Sequence, residues 1–214
     1  MFRKWMAILL MLCLACTMAA AAGETPCVGT WTVLCGVSGY GIEDFSNYGK
    51  AAQVIVEDDR AILVDGDDQQ LFDCAYVDGQ CVLSLSGSAV YTLSLGEDGM
   101  LRMYNASYEG VYVLLSPADE VVPEYIGSFF GDWTVMDIPG QESLAAANYR
   151  LRFGRAVCRD YGTGDIYLCE YTEDGCLLYL YSEAFAICRV TEDGTLLLTS
   201  LDGTASIRMT RVEE

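Results

Sequence analysis

The sequence predicts an all-β fold: two tandem, small up-and-down antiparallel β-barrels of about eight short strands each, with a short helix or loop after the first strand of each. Three observations lead there. First, the chain repeats itself. Gly29-Thr30-Trp31-Thr32-Val33 returns as Gly131-Asp132-Trp133-Thr134-Val135, Cys74-Ala75-Tyr76 as Cys169-Glu170-Tyr171, and the 18-residue interval from Cys81 to Gly99 as that from Cys176 to Gly194. Second, Asp65-Gly66-Asp67-Asp68, Asp78-Gly79, Ser86-Gly87, Glu97-Asp98-Gly99 and Glu109-Gly110 cut the first copy into strand-length segments, and Asp-Gly supplies the positive-φ position a tight hairpin needs. Third, Ala89 to Leu95 alternates apolar and polar residues as a half-buried strand does, and Ala184 to Val190 matches it.

At the amino end, Met1 to Ala22 has the form of an export signal: basic Arg3 and Lys4, an apolar run from Trp5 to Leu14, then small residues Ala19 to Ala22 before the expected cleavage point. Leu14-Ala15-Cys16 also resembles part of a bacterial lipobox, in which Cys16 would carry the lipid. Simple secretion is preferred, because Cys13 stands where that motif usually has leucine and apolar residues continue past Cys16. No other run approaches the ~20 apolar residues of a membrane-spanning helix, so the chain is expected not to be an integral membrane protein once the signal is removed.

The first barrel is placed at 23–116, a linker carrying Pro117 and Pro123 at 117–124, and the second barrel at 125–214. Strands of the first copy are expected at Gly29–Cys35, Gln53–Glu57, Ala61–Val64, Leu71–Val77, Gln80–Leu85, Ala89–Leu95, Met100–Asn105 and Val111–Leu115. An open meander of these would leave two unpaired edges and one apolar face in water, and closure removes both. The competing arrangement is a single larger sheet or sandwich shared by the copies. Only Gly36 to Lys50 and Asp137 to Asn148 break the strand pattern; Ile42 to Tyr48 and Gln141 to Ala147 are expected as short helices lying across a barrel mouth as lid or plug.

Composition removes several functions. There is no histidine among 214 residues, so no Ser-His or Cys-His nucleophile pair and no histidine-ligated zinc can form. With 31 acidic and 12 basic side chains the net charge is -19, which argues against nucleic acid as a partner. Signal removal leaves a net of -21, with Lys50 as the single lysine. That charge suits an exported soluble protein, or attraction of a cationic partner. The carboxylates sit mainly in turns, where they stay hydrated. No catalytic residue, metal site or cofactor is expected, and the chain is read as non-enzymatic.

The Gly-x-Trp at the start of the first strand, the longer excursion after it and the run of hairpins that follows together resemble the lipocalin-like branch of the calycin barrels, twice over, at about 90 residues per copy. The copies are shorter than most lipocalins. The resemblance implies that each tryptophan packs at the closed end of its barrel beneath an arginine from near the barrel's last strand. Arg208 is the candidate to cover Trp133; Val111 to Leu115 of the first copy contains no arginine. It also implies a small apolar ligand held inside one or both barrels, the inward residues Trp31, Val33, Tyr91, Leu93 and Met103 lining the first lumen and Trp133, Val135, Leu151, Phe153 and Leu198 the second. The alternative is a structural or adhesive envelope module with solid barrels that recognises protein or glycan on its outer surface. Eight cysteines remain after signal removal, either as disulfides, with Cys158–Cys169 the first pair to test, or as small buried hydrophobes.

Overall fold

The computed structural model of the chain describes residues 26–45, 52–77, 80–136, 139–180 and 183–212. The expected signal at 1–22, with Cys16, lies outside them, as do residues 46–48 of the first expected helix. Among the described residues the first copy forms β1 (Gly29–Ser38), β2 (Gly41–Asp44), β3 (Gln53–Val56), β4 (Arg60–Asp65), β5 (Asp68–Val77), β6 (Gln80–Leu85), β7 (Ser88–Leu95), β8 (Leu101–Asn105) and β9 (Tyr112–Pro117). The helix α1 (Glu124–Gly127) leads to β10 (Gly131–Val135), the helix α2 (Glu142–Ala146), β11 (Arg150–Phe153), β12 (Val157–Asp160), β13 (Ile166–Thr172), β14 (Gly175–Leu180), β15 (Glu183–Val190), β16 (Leu196–Ser200) and β17 (Ser206–Arg211). In the first copy β9 pairs back onto β1, and β10 to β17 form a second closed barrel. Each copy therefore closes on itself, and among the described residues no sheet is shared between them.

The turns do what their residues require. Ser86 and Gly87 both have positive φ, 53° and 80°, between the paired Leu85 and Ser88. Two successive positive values are the backbone twist that matches the right-handed twist of a two-residue hairpin. Asp65 pairs Asp68 across Gly66-Asp67, so β4 and β5 run right up to their turn.

Inside each barrel the indole is the anchor. Trp31 and Trp133 are 6% and 1% exposed, and each ring N–H donates to the carbonyl four residues earlier, Cys27 at 2.8 Å and Phe129 at 2.7 Å. This satisfies the one polar atom an indole buries. In register, Trp31 faces Pro117 and Trp133 faces Arg211. The arginine over Trp133 is thus Arg211 and not the expected Arg208: its guanidinium carbon stands 4.7 Å from the ring centroid, and it donates to the carbonyls of Phe130 and Ser128 at 2.7 and 2.5 Å. Parity is the reason. Side chains alternate along β17; Met209 is fully buried inward, so Arg211 shares its face while Arg208 lies on the other.

The excursions after the first strands differ. In copy two α2 forms where a helix was expected, and Leu144 and Ala145 pack against the barrel core. The side chain of Gln141 pins this segment to β17, donating to the Arg208 carbonyl at 3.0 Å and accepting from the Arg208 N–H at 2.8 Å. In copy one Ile42 to Asp44 of the expected helix are strand: β1 runs on to Ser38, turns at Gly39-Tyr40 and pairs with β2. Ile42 then lies opposite Val37, and β2 reaches across to β13 of the other barrel instead of lying over its own mouth.

A β-bulge sets this up. Val33 pairs Leu115, but Cys35 pairs Leu114, leaving Leu34 as the extra residue. An extra residue reverses the facing of everything after it. Trp31 and Val33 therefore point into the lumen, whereas Cys35 and Val37 point out and pack with Met100 and Leu114 against Ala156 and Val157 of the second barrel. Beyond the bulge Gly36 faces inward, where a Cβ would come within 3.2 Å of the Phe45 ring, and Phe45 packs on the first core. Two ion pairs flank the seam: Arg155 grips Glu120 with two hydrogen bonds of 2.9 and 2.6 Å, and Arg159 reaches the buried Asp44 at 3.3 Å.

The Arg211 geometry makes a direct prediction. Arg211→Met removes a cation–π contact and two donors, so urea denaturation should show a loss of about 1–2 kcal/mol. Arg208→Met should stay within about 0.5 kcal/mol of the parent, as an outward side chain does; an equal loss at both positions would contradict the parity assignment.

Candidate functional site

The residues expected to line ligand-binding lumens are found in the two packed cores. Trp31, Val33, Leu93 and Met103 are buried with Val54, Phe72 and Leu83, and the half-buried Tyr91 packs edge-on to Phe72 at 5.7 Å. Trp133, Val135, Leu151, Phe153 and Leu198 are buried with Phe129, Leu178 and Met209. The interior of an eight-stranded barrel is just wide enough for its own side chains to fill. Each fully buried residue of these sets contributes about 2 kcal/mol to the fold by burial alone, and the half-buried Tyr91 contributes less.

All eight described cysteines are buried free thiols. The pairing of Cys158 with Cys169 assumed a four-residue loop. The four-residue turn is instead Tyr161 to Gly164, one position earlier, with Asp160 facing Asp165; this places Cys158 opposite Tyr167 and leaves Cys169 diagonal to it on the same face. Cys176 faces Cys188 directly. Burial pushes Cys158, Cys176 and Cys188 well above the usual thiol range, and burial followed by the nearby Asp44 charge pushes Cys35 up to about 12. Neutral thiols of this kind are poor nucleophiles.

One carboxylate is fully enclosed. Asp160, 1% exposed, accepts from Tyr149 Oη at 2.8 Å, Tyr167 Oη at 3.3 Å and the backbone N–H groups of Gly162 and Thr163 at 2.7 and 3.2 Å. Burial first and Asp160 second hold the Tyr149 phenol well above its usual range, and burial dominates in pushing Tyr167 up to about 12. Asp160 is committed to shaping its loop and the adjacent barrel mouth.

What neither copy builds alone is a cleft of about 680 Å³ between the barrels. Its apolar lining comes from Val37, Met100 and Leu114 on one side and Leu168 on the other, around Tyr112, Tyr125, Tyr171 and Tyr179. Burial raises the Tyr112 and Tyr171 phenols, and Tyr171 donates to the Gly154 carbonyl at 2.6 Å. Tyr179 donates to Glu170, and that bond, ahead of burial, pushes its phenol up to about 12. Arg102 is neutralised by Asp98 through bonds of 3.0 and 2.7 Å. Burial works against that Asp98 carboxylate, but the hydrogen bonds from Arg102 and the Met100 N–H outweigh it and hold it below its usual range. Arg155 is likewise held by Glu120. Glu109 and Glu170 have no ion-pair partner among the described residues. The volume lies within the range of small-molecule sites, and convergence of a few polar groups on an apolar cleft is their usual form.

Sequence reasoning did not find this cleft. Much of its wall consists of outward-facing strand residues, Val37, Leu114, Leu168, Glu170 and Tyr179 among them, which read as ordinary surface until the second barrel is placed, while Tyr171 comes from the inward face of β13 and packs on Phe129. No family model, curated protein or solved structure matches the chain, so the site rests on geometry alone.

The buried thiols predict alkaline lability. A thiol whose folded value is raised contributes its full stability below the unfolded value of about 8.5 and loses it as pH climbs toward the folded value, by about 1.4 kcal/mol per pH unit per group. With a reductant present, the urea midpoint should be flat from pH 6 to 8 and fall clearly by pH 9.5; Cys35→Ala should reduce that fall. A midpoint unchanged at pH 9.5 would mean the thiols ionise inside the fold.

Proposed function

We propose that the chain is an exported, non-enzymatic, lipocalin-like binding protein whose two barrels are solid scaffolds and whose ligand sits in the cleft between them. The observation that carries this reading is the division of labour among the side chains. The residues expected to line the lumens are consumed in packing, while tyrosines and charged groups from both copies converge on the cleft. The lipocalin-like character is supported by the Gly-x-Trp strands, the buried indoles and Arg211 over Trp133. Export is supported by the form of residues 1–22. The absence of histidine and the full occupation of Asp160 support a role without catalysis. This reading places recognition on the outer faces of the barrels rather than inside them.

Gly39 provides the test. It lines the cleft, has ordinary backbone φ, and a Cβ there meets nothing within 4 Å; Gly39→Trp should fill the cleft without disturbing the fold. In a thermal-shift screen of small organic molecules, compounds that stabilise the protein should lose their effect in Gly39→Trp. Native mass spectrometry with lauric acid should show no uptake. Lauric acid bound equally by the parent and Gly39→Trp would return the ligand to the lumens and overturn the proposal.

A further inference from the structure

The cleft has a chemical bias beyond its size. Its two guanidinium groups are each closed off by a carboxylate, Arg102 by Asp98 and Arg155 by Glu120. Neither is available to an anionic ligand without breaking a two-point pair. Among the described residues the carboxylates of Glu109 and Glu170 are not so matched, and Glu170 accepts a hydrogen bond from the Tyr179 hydroxyl. What remains for a ligand is thus an excess of negative charge set among tyrosine rings and an apolar lining of Met100, Leu114 and Leu168. Aromatic rings present a negative face to a cation, and tyrosine surrounds are the means by which quaternary ammonium groups are recognised. A long-range field acts in the same sense. The mature chain carries a net charge of -21 with a single lysine, which concentrates cations and speeds their arrival at a cleft of this sign.

Resting on the reading of the cleft as the ligand site, we infer that its ligand is an organic cation: an ammonium head on an apolar or aromatic body. Such a molecule puts its charge beside Glu109 and Glu170 and its body against the tyrosines and the Met100 lining. Among the described residues, an anion would meet two carboxylates without ion-pair partners and no cation without one. A neutral apolar molecule would leave those carboxylates partly desolvated and unmatched.

Phenyltrimethylammonium and its neutral isostere tert-butylbenzene test this by isothermal titration against the whole exported chain. The cation should bind one per chain and at least about tenfold more tightly than the isostere, and more weakly at high salt. The double variant Glu109→Gln, Glu170→Gln should weaken the cation by about tenfold and leave the isostere unchanged. Glutamine keeps an acceptor for Tyr179, and an unchanged melting temperature will confirm an intact fold. Equal affinity for the two probes, or cation binding indifferent to the double variant, overturns the inference. If Gly39→Trp still abolishes binding in those cases, the cleft reading survives without it. Cation binding that persists in Gly39→Trp marks diffuse attraction to an acidic surface and overturns the inference as well. Failure of the cation to bind at all does the same, and compounds that still stabilise the parent but not Gly39→Trp would then keep the cleft as the site of another ligand class.

Discussion

The extra residue at Leu34 is the constraint on which the rest of this structure depends. A strand that alternates strictly has one inner and one outer face along its whole length. With Leu34 inserted between the pairs Val33–Leu115 and Cys35–Leu114, β1 belongs to two cores in succession. Its first half supplies Trp31 and Val33 to the lumen of the first barrel, and its second half supplies Cys35 and Val37 to the seam with the second. Were the bulge absent, Cys35 and Val37 would point inward, where Phe45 already packs beside Gly36. The apolar patch that seats Ala156 and Val157 would be lost, and with it one wall of the cleft.

The two copies use a shared plan for different ends. Both bury an indole whose N–H is satisfied four residues back. In the second copy that end is covered by Arg211 and the other features turn inward: α2 packs on the core, Gln141 stitches it to β17, and Asp160 gathers two phenols and two amides. The first copy has Pro117 opposite its tryptophan, and the described part of its excursion, up to Asp44, pairs as the hairpin β1–β2 and reaches β13. One barrel has its own excursion packed on its core, while the described hairpin of the other's excursion lies at the contact between the barrels. The cleft arises at that asymmetric junction.

Legibility in the sequence followed the range of the interaction. The repeat, the strands and the inward tryptophans are local patterns of spacing and alternation, and the structure has them where they were read. Arg211 was missed in favour of Arg208 because the two differ only in strand parity, which a single register step decides. The facing of Cys158 turns on the same kind of detail: its four-residue turn sits one position earlier, which slides the ladder by two residues and sets Cys158 against Tyr167. Ile42 to Asp44 have no strong preference of their own; they became strand because the extended β1 offered them a ladder. Tyr112 and Tyr179 of the cleft read as wet-tipped surface residues until a second barrel faces them, whereas Tyr171 is already packed on its own barrel's Phe129.

By itself the sequence determined that this protein is two closed β-barrels, each begun by a buried Gly-x-Trp, because hydrophobic alternation, turn chemistry and the cost of unpaired strand edges all act within about 90 residues and agree with one another. Only the tertiary structure decided which arginine covers Trp133, which cysteines face one another, and that outward side chains of the two copies enclose a common space. Those outcomes turn on register and on the docking of one barrel against the other, and a one-residue bulge changes both without altering the hydrophobic pattern along the chain.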